Sequence, residues 1–410
     1  MAKHLPDVSP VMRTWQFWVN KEADSLHCNL RPLQVTGGLD DLEQVSSADP
    51  IDRILPDAPS GYLGNGERWS DPLWQEVVAN VAGAVAMRAA GFTVRRANLR
   101  IWPTDHPCFR SQSDREFDQF QETRIHLFEP LAIGLCSQDQ KWVWVRSEIA
   151  SGWMHTEDVG VASAIQWARY RDQVPKRLVV IANGVRTEAQ PYDSAVSFMP
   201  IEYGACLPLF SGSPPEALGN QNVLGHYVVE YPVRQADGSL DIRLALINQD
   251  DKVHVGFLAS SRANLIRSIF ALLGDRYAWG DLLGGHDCSS LVMDAYRTLG
   301  IHLPRNSRDQ AQYLPARAIW NRDDDAPQRM ADLALAKPGD LLMMPGHVLM
   351  FLGIHLQLAY ALHAFVGYGE TIDGVFQSVW VNSVEVSSLR IPTRSGPSYL
   401  SALTRIVHVW

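Results

Sequence analysis

Residues 277–300, YAWGDLLGGHDCSSLVMDAYRTLG, constrain the fold more than any other stretch of this chain. A glycine-rich loop turns there into an amphipathic helix. Leu291, Val292, Ala295 and Leu299 recur at helical spacing, and Gly300 suits the C-terminal stop. Asp287 stands just ahead of the first helical residue, where a carboxylate accepts the free N–H groups of the first turn. Cys288 therefore begins the helix, with its apolar neighbours buried and the cysteine at the exposed tip. The positive end of the helix favours a thiolate at that position, and the charge of Asp287 opposes it. The backbone N–H groups around Cys288 and Ser289 are candidate oxyanion donors. Taken alone, the stretch leaves Cys288 as either a nucleophile or a core thiol, because a free cysteine is among the most buried residue types.

A thiol that cleaves an amide needs a base within hydrogen-bond reach and a third group to fix that base's tautomer. Two histidines downstream fit. His347 follows a Pro-Gly turn at the start of the hydrophobic run PGHVLMFLG, and His363 sits in ALHAF. If the two runs pair as a hairpin, both imidazoles meet at one edge of a sheet. The nucleophile then lies on a helix and the base on the sheet.

The cysteines number five, scattered and without CxxC spacing, so neither a disulfide framework nor a paired zinc site is indicated. Cys28, Cys108, Cys136 and Cys206 read as core thiols. Zinc at His286 and Cys288 would need two further ligands that the local sequence does not offer. No metal or cofactor is expected.

At 410 residues the chain exceeds one ordinary hydrophobic core, and several domains are expected. A helical N-terminal region spans 1–91. Within it SDPLWQEVVANVAGAVAMRAAG reads as a helix, capped by Ser70 or Asp71, with Pro72 in the first turn and Gly91 as its stop. Leu73, Val77, Val81 and Val85 share its face. From Phe92 the texture changes to short β-branched runs, giving one β module over 92–165 and a second over 176–258. Alternation over 141–146 reads as a strand with one wet face. After 257 the order is helix, helix, strands, which indicates an α+β domain over 261–410. Its strands are read in DLLMMPGHVLMFLGI, LAYALHAFVG, GVFQSVWVN and SYLSALTRIVHVW.

A formal net charge of -9 gives no bulk attraction for a polyanion, so nucleic acid is not expected as a partner. No window approaches the length of a membrane span, and the N-terminus has no continuous apolar run. As written the chain reads as soluble and cytoplasmic; removal of an export signal would place it in the periplasm or cell wall. A monomer is expected.

The string YAWGDLLGGHDCSSLVMDAYRTLGIHLPRNSRDQA, followed by AKPGDLLMMPGHVLMFLG and ALHAF, resembles the NlpC-type family of bacterial cell-wall cysteine peptidases, which are papain-like enzymes that cut murein peptides. The resemblance covers about 261–410. Upstream, the Trp and Gly-Trp pattern of KWVWVRSEIASGWMHTEDV resembles the bacterial SH3-like domains that precede the catalytic domain in one subgroup. The implied architecture is multidomain: an α+β papain-like catalytic domain preceded by a helical N-terminal region and two small SH3-like β-barrels.

The resemblance implies Cys288 as nucleophile, His347 as base and His363 as the residue orienting it. It places Tyr277 near the oxyanion site and has Asp287 and Ser289 line the substrate groove. An Asp-Ser pair of the family is here Asn306-Ser307, a neutral amide in place of a carboxylate that can hold a substrate ammonium. The subgroup resembles enzymes cutting γ-D-glutamyl-L-diamino acid bonds of murein stem peptides with a free N-terminal L-Ala. In that subgroup the first SH3-like domain contributes an acid and an aromatic, for which Glu129 and Trp153 are the candidates. A solvated glutamate and a core tryptophan are the plain alternatives. Murein-derived peptides are the expected partners. Rival functions are a murein-peptide binding protein without activity, and an amidase or acyltransferase on the same fold.

Overall fold

A computed structural model describes residues 5–19, 57–172, 176–321 and 326–409, so the reading of Cys28 lies outside the described residues. The chain divides into two compact units, one spanning Gln34–Gly256 and the other joining the N-terminal stretch to Phe257–Trp410. The 1–91 region expected as one helical body is thus shared between them. Among the described residues no helix is long and apolar enough to cross a membrane.

In the unit Gln34–Gly256, the helix expected to run to Gly91 ends at Ala82, with Gly83 as its C-cap. Trp74, Val77 and Val81 form its buried face. Val85–Thr93 is instead a strand, paired antiparallel with Pro130–Cys136. Gly91 serves close approach rather than helix termination, because a Cβ there would meet the carbonyl oxygen of Gly160 at 2.6 Å.

The large sheet is antiparallel, in the order Gln121–Ile125, Ala97–Arg100, Ser151–His155, Trp142–Arg146, Pro130–Cys136, Val85–Thr93, Val159–Val161. The wet face expected over 141–146 is absent. Trp142 and Trp144 join a cluster with Trp69, Trp74 and Trp153, while Val143 and Val145 pack with Leu99, Leu131 and Met154. Both faces of that strand are covered, so its alternation separates two apolar environments rather than core from water.

The second β block has a three-stranded sheet, Cys206–Pro208, Arg177–Val180 and Val253–Val255, and a hairpin of His226–Arg234 with Leu240–Asn248. It does not stand apart from the first block. Phe92, Leu127 and Phe128 share a buried cluster with Leu178, Val180, Val229 and Ile247.

In the other unit, residues 5–19 lie against the C-terminal sheet. Trp18 is buried beside Tyr360, ring centroids 5.4 Å apart, and its indole N–H donates to the Met12 carbonyl. Asp7 pairs with Arg390 at 2.6 Å, and Arg13 with Glu385 at 2.7 Å. The helix Arg262–Phe270 is capped by Ser261, whose hydroxyl accepts from the Asn264 N–H. The Cys288–Arg297 helix follows and is buried along its whole length, Cys288 included at 8% exposure, so the expected exposed tip is covered.

The six-stranded antiparallel sheet runs Ala316–Ile319, Arg405–Val407, Leu341–Met344, His347–His355, Leu358–Ile372, Val375–Ser388. Residues 398–410, expected as strand throughout, hold a short helix Tyr399–Ala402 before the strand Arg405–Val407. The Ser398 hydroxyl accepts from the Ser401 N–H and starts that turn.

Candidate active site

The loop before Cys288 is held by one buried carboxylate. Asp281 and Leu283 both adopt left-handed backbone, φ 62° and 57°, which disfavours side chains that carry a Cβ. Asp281 offsets this by accepting from the Asp287 N–H at 3.2 Å and from the Ser290 hydroxyl. The Tyr277 N–H donates to the Asn382 carbonyl at 3.0 Å, tying the loop to the last strand of the sheet.

Asp287 caps the helix as its sequence position indicated, accepting from the N–H groups of Ser289 and Ser290, while Ser290 Oγ accepts from the Asp287 N–H. Its second partner is not readable from the sequence. Arg305 forks onto the same carboxylate, 2.7 Å to Oδ2 and 3.2 Å to Oδ1, and reaches Ser289 Oγ at 3.1 Å. Burial works against a charge on Asp287, but Arg305 and the capping N–H groups hold it below the usual carboxylate range. Asp287 and Ser289 are thus both buried and engaged with Arg305.

Burial, joined by the charge of Asp287, pushes the Cys288 thiol up to about 12. The N–H groups of Val348 and Ser289 and the more distant Arg305 oppose this and lose. The resting group is a neutral thiol. The Val348 N–H facing its sulfur places Cys288 against the first residues of the His347 strand.

The hairpin that sequence reasoning made conditional is present. Its register sets Met350 against Leu362, so His347 and His363 are diagonal neighbours. His347 Nε2 lies 2.8 Å from His363 Nδ1, and His363 Nε2 lies 2.8 Å from Ser387 Oγ. His363 is fully buried, stacked on Phe365 at 3.9 Å and met edge-on by Tyr399 at 5.2 Å. Burial depresses both imidazoles, His347 to about 4 with Asp287 pulling the other way, and His363 well below its ordinary value with His347 adding to the effect.

These contacts define a proton order. If His347 Nδ1 is to take a proton from the thiol, Nε2 must already carry one and donate it to His363 Nδ1. His363 must then carry its own hydrogen on Nε2 and donate to Ser387 Oγ. A neutral thiol beside a neutral, oriented imidazole is arranged for general-base attack.

A cleft of about 430 Å³ opens beside this group, lined by Tyr277, His347 and Tyr399 among others. The Tyr277 hydroxyl is raised above its ordinary value by burial and then by Cys288 and Asp287, which sets it within electrostatic reach of the sulfur. Asn306 is exposed at the start of the helix Ser307–Tyr313 and makes no side-chain cap; Ser307 is half-buried. Glu129 is half-buried, and its N–H donates to Thr93 Oγ1 at 2.8 Å. Trp153 is fully buried in the tryptophan cluster and has no surface to offer a ligand, which corrects its expected place at a groove. His286 lies 3.3 Å from Asp294. Among the described residues no group of three or more His, Cys, Asp or Glu side chains is gathered for a metal.

Sequence reasoning missed Arg305, Ser387 and Tyr399. Arg305 stands next to Asn306 in the chain, but nothing local distinguishes a buried arginine from a solvated one. Ser387 becomes visible only through strand register.

Residues 274–385 match the NlpC/P60 family, and residues 107–155 match an SH3 domain of the SH3b1 type. Two solved structures share the fold. A novel NlpC/P60 endopeptidase from Photobacterium damselae subsp. piscicida is 17% identical, with 88% of this chain and 84% of that one covered at a TM-score of 0.69. An NlpC/P60 family protein from Bacillus cereus ATCC 10987 is also 17% identical, with 78% of this chain and 99% of that one covered at a TM-score of 0.52. No curated protein matches this sequence. The chain carries an NlpC/P60 domain and, upstream of it, an SH3 domain of the SH3b1 type.

Proposed function

We propose that the chain is a cysteine endopeptidase that hydrolyses murein stem peptides at the γ-D-glutamyl-L-diamino acid bond, in substrates with a free N-terminal L-Ala. The observation that carries this reading is the chain of contacts from His347 through His363 to Ser387, set beside a cysteine at a helix start. The NlpC/P60 match and the two structural neighbours support the reaction class.

In this mechanism His347 Nδ1 takes the Cys288 proton as sulfur adds to the γ-glutamyl carbonyl carbon. The Ser289 and Ser290 N–H groups are taken by Asp287, so the negative oxygen of the tetrahedral intermediate is met by the Cys288 N–H and the Tyr277 hydroxyl. The C–N bond then breaks, and His347 passes the proton to the departing amine. Water, deprotonated by His347, attacks the thioester and restores the thiol. Asp287 and Ser289, fixed by Arg305, support the helix start, and Asn306-Ser307 borders the groove on the acyl side. We read 92–165 and 176–258 as two SH3-like modules, supported by their antiparallel strands, and the protein as a monomer.

Incubating the wild type and Cys288→Ala with L-Ala-γ-D-Glu-diaminopimelate tests this. Product from the wild type alone is expected. Equal product from both would remove Cys288 from the chemistry, and none from either would favour a binding protein or another substrate. N-acetylation of the peptide is expected to suppress cleavage, and unchanged cleavage would contradict recognition of a free amine.

A further inference from the structure

We propose that Arg394 forms a carboxylate-binding subsite for the fragment that departs as the amine, making a free carboxylate on that side of the cut bond a recognition element. This rests on the thiol-peptidase reading above.

The general acid must lie within hydrogen-bond reach of the departing nitrogen, so the departing fragment occupies the space that His347 lines. That space is the cleft of about 430 Å³, within the range of small-ligand pockets. Arg394 is the one cationic side chain among the residues lining it, and none of them is acidic. Arg394 also has no carboxylate partner among the described residues, in a chain whose net charge is -9. Arg305, the arginine nearer the cysteine, is by contrast fully committed to Asp287 and Asp281.

The guanidinium is held ready for an anion. A tight turn fixes its backbone, with the Thr393 N–H donating to the Pro397 carbonyl at 2.7 Å and the Gly396 N–H to the Thr393 carbonyl at 3.1 Å. Gly396 takes φ 115° there, a conformation that a side chain would resist. The guanidinium lies 4.6 Å over the ring of Trp380, and Nε reaches Ser378 Oγ at 3.5 Å. The ring contact and the Ser378 hydroxyl engage the guanidinium face and Nε, which leaves the two terminal nitrogens for a forked contact with a carboxylate. Ser378 and Ser395, which also line the cleft, supply hydroxyls beside it.

The test uses the full chain and the tripeptide L-Ala-γ-D-Glu-L-Lys, prepared with its lysine carboxylate free or as the carboxamide. The wild type is expected to prefer the acid by roughly tenfold or more in kcat/KM, the scale of one charged hydrogen-bonded contact. In Arg394→Gln that ratio should fall toward one, and Arg394→Lys should keep part of it. Equal cleavage of acid and amide by the wild type, or an unchanged preference in Arg394→Gln, would overturn the subsite. Calorimetric binding of both peptides to Cys288→Ala, with and without Arg394→Gln, separates this result from the peptidase reading. Acid-selective binding that needs Arg394, without turnover by the wild type, would sink the peptidase reading and keep the subsite. Binding indifferent to the carboxylate would sink the subsite whatever the turnover.

Discussion

His363 Nε2 lies 2.8 Å from Ser387 Oγ, and this contact continues the line that begins where His347 Nε2 meets His363 Nδ1. When the hydrogen of His363 is on Nε2 and donated to Ser387 Oγ, Nδ1 is left to accept from His347 Nε2. Ser387→Ala is expected to lower kcat by about tenfold with little change in KM, the scale of one buried hydrogen bond. His363→Ala should cost more, because it leaves the base without an orienting partner. Steady-state kinetics of both variants check this, and a Ser387→Ala effect confined to KM would contradict a positioning role.

The pH profile follows from two opposite shifts. His347 is depressed to about 4 and Cys288 is raised to about 12, so the reactive pair is neutral between those values. Activity that needs a neutral imidazole is present above the His347 value and is lost as pH falls through it. The kcat/KM profile should therefore have its acid limb near pH 4 and stay flat through neutrality. Alkylation of Cys288 by iodoacetamide should keep rising with pH from 6 to 10. A plateau of alkylation at neutral pH would show a preformed thiolate and require a different proton order.

Arg305 carries an expectation about stability rather than chemistry. It is buried between Asp281 and Asp287, and its removal leaves two buried carboxylates without their cation. Arg305→Met is expected to destabilise the fold by about 3–5 kcal/mol, the cost of breaking a buried ion pair from one side. Denaturant unfolding measures it. Adding Asp287→Asn should recover part of the loss, and a fully additive double variant would argue against their coupling.

The Cys288 helix is legible in the sequence because cap, periodicity and stop agree locally, and Asp287 is the cap that its position indicates. The two histidines are legible because each opens or interrupts an apolar strand run. What escapes is non-local. Ser387 is 24 residues from His363, and Arg305 is 18 from Asp287, separations that only register and packing close. The strand Val85–Thr93 reads as helix because VAMRAAG, rich in alanine, carries a helical propensity that pairing with Pro130–Cys136 overrides. Residues 398–402 read as strand because a Ser-capped single turn is too short to show helical periodicity.

The N-terminal stretch should contribute directly to the stability of the catalytic sheet. Trp18 is 5% exposed, and its ring meets Tyr360, which lies three residues before His363 in the same strand. Its indole N–H donates to the Met12 carbonyl at 2.7 Å, and Arg267 covers Trp15 from 4.5 Å. The ion pairs of Asp7 and Arg13 reach the surface and add little by themselves. Burial of the tryptophan outweighs them, so Trp18→Ala is expected to cost about 3–5 kcal/mol. Asp7→Asn should cost about 1 kcal/mol or less. Thermal unfolding of both variants compares the two effects. An equal cost for the two would mean that polar clamping, rather than burial, holds the stretch in place.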